Sequence, residues 1–238
     1  MVEGAGVNDA LRYLNDPLNW TRTGGILDLL GEHIAISVIA TLAAALIALP
    51  IAIVLGHTGR GGGFTVALSN VSRAVPTLAL LTVFAVTPIG FGNQATTIAL
   101  AIFAIPPILT NTYVGFREVD RDIVEAAGAM GMSAGQVIGK VELPLAIPMI
   151  MTGIRTAGVQ VVATATLAAL VGGGGLGRLI SLGFAQQDAG LLLAGAILVA
   201  ALTLLTEVLL VIVSGLVSPG RRRLSVPRLA RVRTTEPL

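Results

Sequence analysis

The sequence predicts an all-α integral membrane protein of about five transmembrane helices, and three observations carry that prediction. Hydrophobic residues make up 54% of the 238 and charged residues 12%, against roughly 25% charged in soluble globular domains. Mean hydropathy is +0.88, and the long apolar runs are of a length that spans the roughly 30 Å hydrocarbon core as helices. Between two of these runs lies a charged, helix-patterned island at residues 120–144.

Taken in order, residues 1–32 carry five acidic side chains and two arginines, with no apolar core long enough for a signal peptide. They are read as an N-terminal segment outside the bilayer, either with Trp20 at headgroup depth and Ile26, Leu27, Leu29 and Leu30 laying a brief helix on the membrane surface, or as a weakly ordered tail. The transmembrane domain is assigned to residues 33–218. Its first span, 34–55, places Ala40, Ala44, Ala48 and Ala52 on one face, where small side chains let a neighbouring helix approach closely, and Pro50 should kink it. A flexible basic linker (56–63) and a short apolar segment (64–72) lead to span two at 74–87, with Pro76 near its start. Span three, 95–114, contains Pro106-Pro107, which predicts a local break. Span four is placed at about 145–171, followed by the glycine-rich connector GGGGLGRLISLGFAQQDAG, read as flexible, then span five at about 191–217 and a basic tail at 219–238.

Arginine and lysine set the orientation. With an odd number of spans, one side holds Arg60, Arg73, Arg117, Arg121, Lys140 and six tail arginines, and the other holds Arg12, Arg22 and Arg178. The positive-inside rule then predicts a cytoplasmic island and tail and an N-terminus outside.

The island has its own local logic. Asp120 or Asp122 can cap a helix whose first turn gathers acidic residues up to Glu125, where unpaired amides favour carboxylates. Gly131 should end that helix in the left-handed conformation. Ser133 with Gln136 forms a capping box for a second helix, which Pro144, after Leu143, should end or kink. Two short helices joined by a tight bend result.

Glu125-Ala126-Ala127, Gly131 six residues after the glutamate, and Leu143-Pro144 resemble the cytoplasmic EAA loop of permease subunits of bacterial ABC importers. NTYVGF (111–116), GAMGMS (128–133), KVELPLAIP (140–148), GIRTA (153–157) and ATLAALVGGGGLG (165–177) resemble the osmoprotectant, or quaternary-amine, branch that carries glycine betaine, choline, carnitine or proline. The resemblance, over roughly 73–188, implies the type I ABC importer permease fold in a bacterial plasma membrane. It implies as partners ABC ATPase subunits that dock on Glu125, Ala126, Ala127, Gly131, Leu143 and Pro144, a second permease copy or paralogue, and an extracytoplasmic substrate-binding protein. It also places Gly172, Gly174, Gly175 and Gly177 near the translocation path as a candidate gate connector. A methionine-type or other amino-acid importer is the alternative within the class, and an ATP-independent secondary transporter the alternative outside it.

Several chemistries are excluded. The one lysine, Lys140, precedes Val141, so no Walker A loop exists and ATP with its magnesium belongs to a partner chain; this chain is no enzyme and takes no cofactor. No cysteine is present to hold a metal or act as nucleophile. His33 and His57 stand at opposite ends of span one, and the topology separates them from most acidic groups. Gly172, Gly174 and Gly177 satisfy G-x-G-x-x-G but follow a span rather than a strand, which rules out a dinucleotide site. A net charge of +2 gives no nucleic-acid footprint, whereas the basic tail suits the lipid bilayer. Asn111, Thr112 and Tyr113 read as helix-end hydrogen bonding and interface anchoring, with substrate contact as the alternative. Arg155 and Glu207 are the intramembrane charges, each about 13–15 Å deep at 1.5 Å rise per residue, and a mutual ion pair or a water-lined position is expected for each.

Overall fold

Backbone hydrogen bonds have no water to turn to in hydrocarbon, so a chain of this composition must satisfy them within helices. The computed structural model describes residues 3–218, and its regular structure is helical, with no strand among them. The basic tail expected at 219–238 lies outside the described residues.

The chain runs α1 (Glu3–Asn15), α2 (Pro17–Thr21), α3 (Ile26–Thr58), α4 (Gly62–Ala74), α5 (Thr77–Ala85), α6 (Asn93–Arg117), α7 (Arg121–Ala129) and α8 (Ala134–Val137). A π-helical turn (Ile138–Glu142) then leads into α9 (Leu143–Thr164), which tightens to a 3₁₀ stretch (Ala165–Val171) before α10 (Gly177–Gln186) and α11 (Ala189–Val217). Among the described residues four stretches are long and apolar enough to cross a membrane: Ile26–Thr58, Asn93–Arg117, Ala134–Val171 and Ala189–Val217.

The span expected at 74–87 is only the nine-residue α5, and the crossing needs α4, expected as a short apolar segment at 64–72, as well. Pro76 offers no N–H and pushes Val75 to extended geometry (φ −82°, ψ 117°), which separates α4 from α5. Together the two still carry the chain from one end of the bundle to the other. The last turn of α3 lies at the end of α6, where a Cβ on Gly56 would come within 2.5 Å of Phe116. The start of α6 lies at the opposite end, where Gly92 N–H donates to Val171 O at 3.1 Å. Helices α3 and α6 therefore run parallel, and α9 runs against both: Gly115 abuts Met149, while Gly153 abuts Asn111 and Pro107. Pro106 and Pro107 do not interrupt α6, which is one helix throughout.

The core sits where these three helices meet. Ala40, Ala44, Ala48 and Ala52 are each fully buried among Leu100, Ala101, Ala104, Ile108 and Leu109 of α6 and Ala157 and Val161 of α9. The predicted small face is thus the packing face, and it continues one step further to Gly56.

The N-terminal segment differs from its reading. Ile26–Leu30 form no separate surface helix; they are the first turns of α3, and Ile26 and Leu29 are buried with Leu176, Leu179 and Leu191. Helix α1 lies along α11, with Gly6 against Ala189 and Leu193, and Trp20 Nε1 donates to Leu14 O at 2.7 Å. The connector likewise contains a helix, α10, that its glycines conceal, because glycine is a poor helix former. Gly183 is needed there for contact, since a Cβ would lie 2.6 Å from the Leu192 nitrogen.

Ala48→Leu should wedge α3 from its neighbours and cost about 1–3 kcal/mol of stability, lowering both the amount of protein recovered from membranes and its melting temperature in detergent. Leu46, 78% exposed on the same helix, should accept alanine with little change.

Candidate functional site

The island at the end of the bundle is built as its local chemistry dictates. Asp120 caps α7, its Oδ1 accepting from Asp122 N–H at 3.0 Å. Helix α7 closes with Met130 N–H on Ala126 O and Met132 N–H on Ala127 O, and Gly131 turns the chain at φ +84°. The capping box is present, with Ser133 N–H donating to Gln136 Oε1 at 2.9 Å.

This hairpin has two faces. Ala127 and Val137 are buried, and Leu143 packs with Phe116, Ala146 and Ile150. Glu125, Ala126, Gly131 and Pro144 are exposed, as are the apolar tips Ile123 and Met130. A Cβ added at Gly128, Gly131, Gly135 or Gly139 would meet nothing within 4 Å, so the outer face is smooth, open and partly apolar.

Pro144 does not end the second island helix. Its missing N–H and its ring conflict with the carbonyl four residues back, and the chain resolves this by widening to a π turn, with Leu143 N–H on Ile138 O, and continuing as α9. The island is therefore joined to the bundle through an unbroken helix rather than a hinge.

The same turn delivers a side chain that sequence reasoning passed over. Glu142 is completely buried, and His57 Nδ1–H donates to its Oε2 at 2.6 Å. Arg121 of α7 stands 3.9 Å from the other oxygen. Position 57 lies 85 residues from position 142, and only the packing of α3 on α9 brings them together, so the separation of the histidines from acidic groups does not hold here. A carboxylate just before Leu-Pro at the mouth of an apolar run was the available signal.

At the opposite end the glycine-rich connector is packed, not flexible: residues 173–177 are buried. Gly174 N–H donates to Asn93 Oδ1, Gly175 N–H to Glu32 Oε2 at 3.0 Å, and Leu176 N–H to His33 Nδ1 at 3.3 Å. With Nδ1 accepting, His33 donates from Nε2 to Val162 O at 2.9 Å, which assigns the neutral Nε2–H tautomer. Gly175 has φ +88°, and a Cβ on Gly177 would lie 2.0 Å from the Thr166 carbonyl oxygen. The glycines are there because α3 and the 3₁₀ stretch come against the backbone. Gly172 is exposed at φ +72°.

The intramembrane charges meet. Arg155 Nε donates to Glu207 Oε1 at 2.8 Å, and Nη2 donates to the same oxygen. Beside them Thr156 and Gln160 also line a cleft of ≈ 610 Å³ between the α4–α5 break, α6 and α9, with Ser69, Thr77, Thr110 and Asn111. Asn111 Nδ2 donates to Pro107 O at 2.8 Å, a bond within α6, which runs on to Arg117, rather than at the helix end. Phe103 is the one aromatic side chain among the lining residues.

Arg155→Ala and Glu207→Ala should each reduce folded protein, and the double variant should lose less than the sum because neither charge is left without its partner. A thermal-stability cycle in nanodiscs with strictly additive losses would mean that the pair contributes nothing.

Known proteins share this sequence and this fold. Residues 23–223 match the family described as binding-protein-dependent transport system inner membrane component. A choline transport system permease protein of Bacillus subtilis (strain 168) is 36% identical over 205 residues, covering 86% of this chain and 94% of the relative. A glycine betaine/carnitine/choline transport system permease protein of the same organism is 34% identical over 208 residues, covering 87% and 95%. A chain of the inward-facing MetNI methionine ABC transporter superposes with a TM-score of 0.70 at 23% identity, covering 85% of this chain and 99% of that one, which shows the fold. The island hairpin, the small-residue bundle and the match across 23–223 agree: this chain belongs to the family of binding-protein-dependent transport system inner membrane components, the multi-pass permeases of ABC importers.

Proposed function

We propose that this chain is the permease subunit of an ATP-driven importer for small quaternary-ammonium osmoprotectants such as choline, glycine betaine or carnitine. The observation that carries the reading is its 34–36% identity, over nearly the whole of both chains, to relatives named for those solutes. The fold shared with the methionine transporter, at 23% identity, carries no statement about solute. In this reading the chain catalyses nothing itself. A binding protein delivers solute outside, a second permease copy or paralogue completes the pathway, and separate ATPases dock on the island from the cytoplasm.

The island suits that role physically. A smooth, exposed face with Ile123 and Met130 projecting can fill a groove, and the continuous backbone from Ala134 into α9 can pass a displacement into the bundle. Glu125, Ala126 and Gly131 are open to contact, while Ala127 and Leu143 hold the hairpin to the bundle. Quaternary ammonium is held tightly by several aromatic faces together; Phe103 alone in the cleft fits brief transit, leaving tight capture to the binding protein.

Reconstituted in liposomes with its ATPase and binding protein, the permease should import radiolabelled choline, glycine betaine or carnitine only with ATP and the binding protein. Uptake driven by an ion gradient without ATP would overturn the reading in favour of a secondary transporter. Gly131→Val should keep membrane abundance near wild type, since no neighbour is struck, and lose ATP-driven uptake, because a β-branched residue at φ +84° costs about 1–2 kcal/mol and unmakes the bend. Full uptake by that variant would remove the bend from the docking geometry.

A further inference from the structure

The buried carboxylate of Glu142 is only half engaged. Its Oε2 takes the short hydrogen bond from His57, but its Oε1 is buried without a hydrogen-bond partner, and so is Nη2 of Arg121. The Arg121–Glu142 separation is 3.9 Å, whereas a charge-assisted N–H···O bond closes at about 2.7–2.9 Å. A fully buried carboxylate gains much from a second donor. The missing contact is therefore about 1 Å of movement away, a distance that a small shift of α7, the first helix of the exposed hairpin, or of the Arg121 side chain covers.

Three elements converge on this one side chain. Arg121 opens α7, His57 lies in the last turn of α3, and Glu142 closes the π turn that feeds α9. Single π turns inside helices concentrate at functional positions, and this one points the carboxylate inward between α3 and α7. Nearby, the Arg117 guanidinium fills the space where a Cβ on Gly59 would stand, so α6 abuts the end of α3 as well. Glu142 is thus hydrogen-bonded to the bundle through His57, while its tie to the island through Arg121 is a loose ion pair at 3.9 Å with no hydrogen bond.

We infer that Arg121 and Glu142 form a state-dependent latch: the ion pair closes in one transport state and opens in the other, and through it a shift of α7 is passed to α3 and α9. The inference rests on the importer reading above and adds positioning residues to it. Arg121 and Glu142 touch neither solute nor nucleotide; they set how faithfully the bundle follows the island. The hairpin can then be fully docked and still fail to drive transport when the latch cannot close.

The test compares wild type, Arg121→Gln, Glu142→Gln and the double variant, each reconstituted with ATPase and binding protein. Four quantities are measured: permease abundance, co-purified ATPase, ATP hydrolysis, and solute imported per ATP hydrolysed. The latch predicts normal abundance, normal ATPase stoichiometry and continued hydrolysis, with imported solute per ATP lowered about tenfold, inside the range of allosteric coupling. The double variant should be no worse than either single one, because both remove the same pair. Arg121→Gln keeps the test decisive if Glu142→Gln folds poorly, since the Arg121 side chain is 39% exposed and makes no hydrogen bond to Glu142 here. An unchanged solute-to-ATP ratio in Arg121→Gln overturns the latch alone, and loss of ATPase from the purified complex overturns it by making Arg121 a docking contact. Absence of ATP-dependent uptake in wild type overturns the importer reading and the latch with it.

Discussion

Close contact between α3, α6 and α9 on small side chains is the constraint on which the rest of the molecule depends. In lipid, apolar surface gains nothing from leaving one apolar neighbour for another, so helices associate through packing and through polar contacts. Ala40, Ala44, Ala48 and Ala52 supply the packing, and glycines extend it: Gly56 against Phe116, Gly115 against Met149, and Gly153 against Pro107 and Asn111. At Gly56 and Gly115 a single methyl group would strike a neighbour, and at Gly153 it would press on one at 3.0 Å. The three helices form the rigid unit from which the island hangs at one end and the connector at the other.

Polar groups are placed where that unit can satisfy them. At the connector end Glu32, His33 and Asn93 accept from successive backbone amides of residues 174–176, which makes a glycine-rich loop into an ordered plug over α3. At mid-depth Arg155 and Glu207 neutralise each other between α9 and α11. At the island end Glu142 is shared by α3 and the start of α9 through His57. Each ties helices distant in sequence, and each exploits a medium in which an unpaired charge or amide is expensive.

The two ends of the bundle differ in how tightly they are held. The connector end is densely hydrogen-bonded, with its glycines tightly abutted. The island end carries an exposed hairpin, a π turn in place of a regular helical start, and an ion pair at 3.9 Å without a hydrogen bond. The split second crossing, α4 and α5, adds irregular backbone beside a polar cleft, where such backbone is tolerated in membrane proteins.

By itself the sequence determined whatever depends on neighbours along the chain. Apolar run length set the spans, the four-residue alanine repeat set the packing face, and Asp120, Gly131, Ser133 and Gln136 set the island hairpin through caps and a positive φ. The matched depths of Arg155 and Glu207 made their mutual pairing one of the expected arrangements, beside a water-lined position or another partner for each. Tertiary structure decided what depends on which helices lie side by side. It buried Glu142 against His57, turned the supposedly flexible connector into a packed loop, folded α1 onto α11, and let α9 run through Pro144 by way of a π turn. Helical period and capping are short-range and legible residue by residue, whereas a contact across 85 or 143 positions exists only once the bundle has formed.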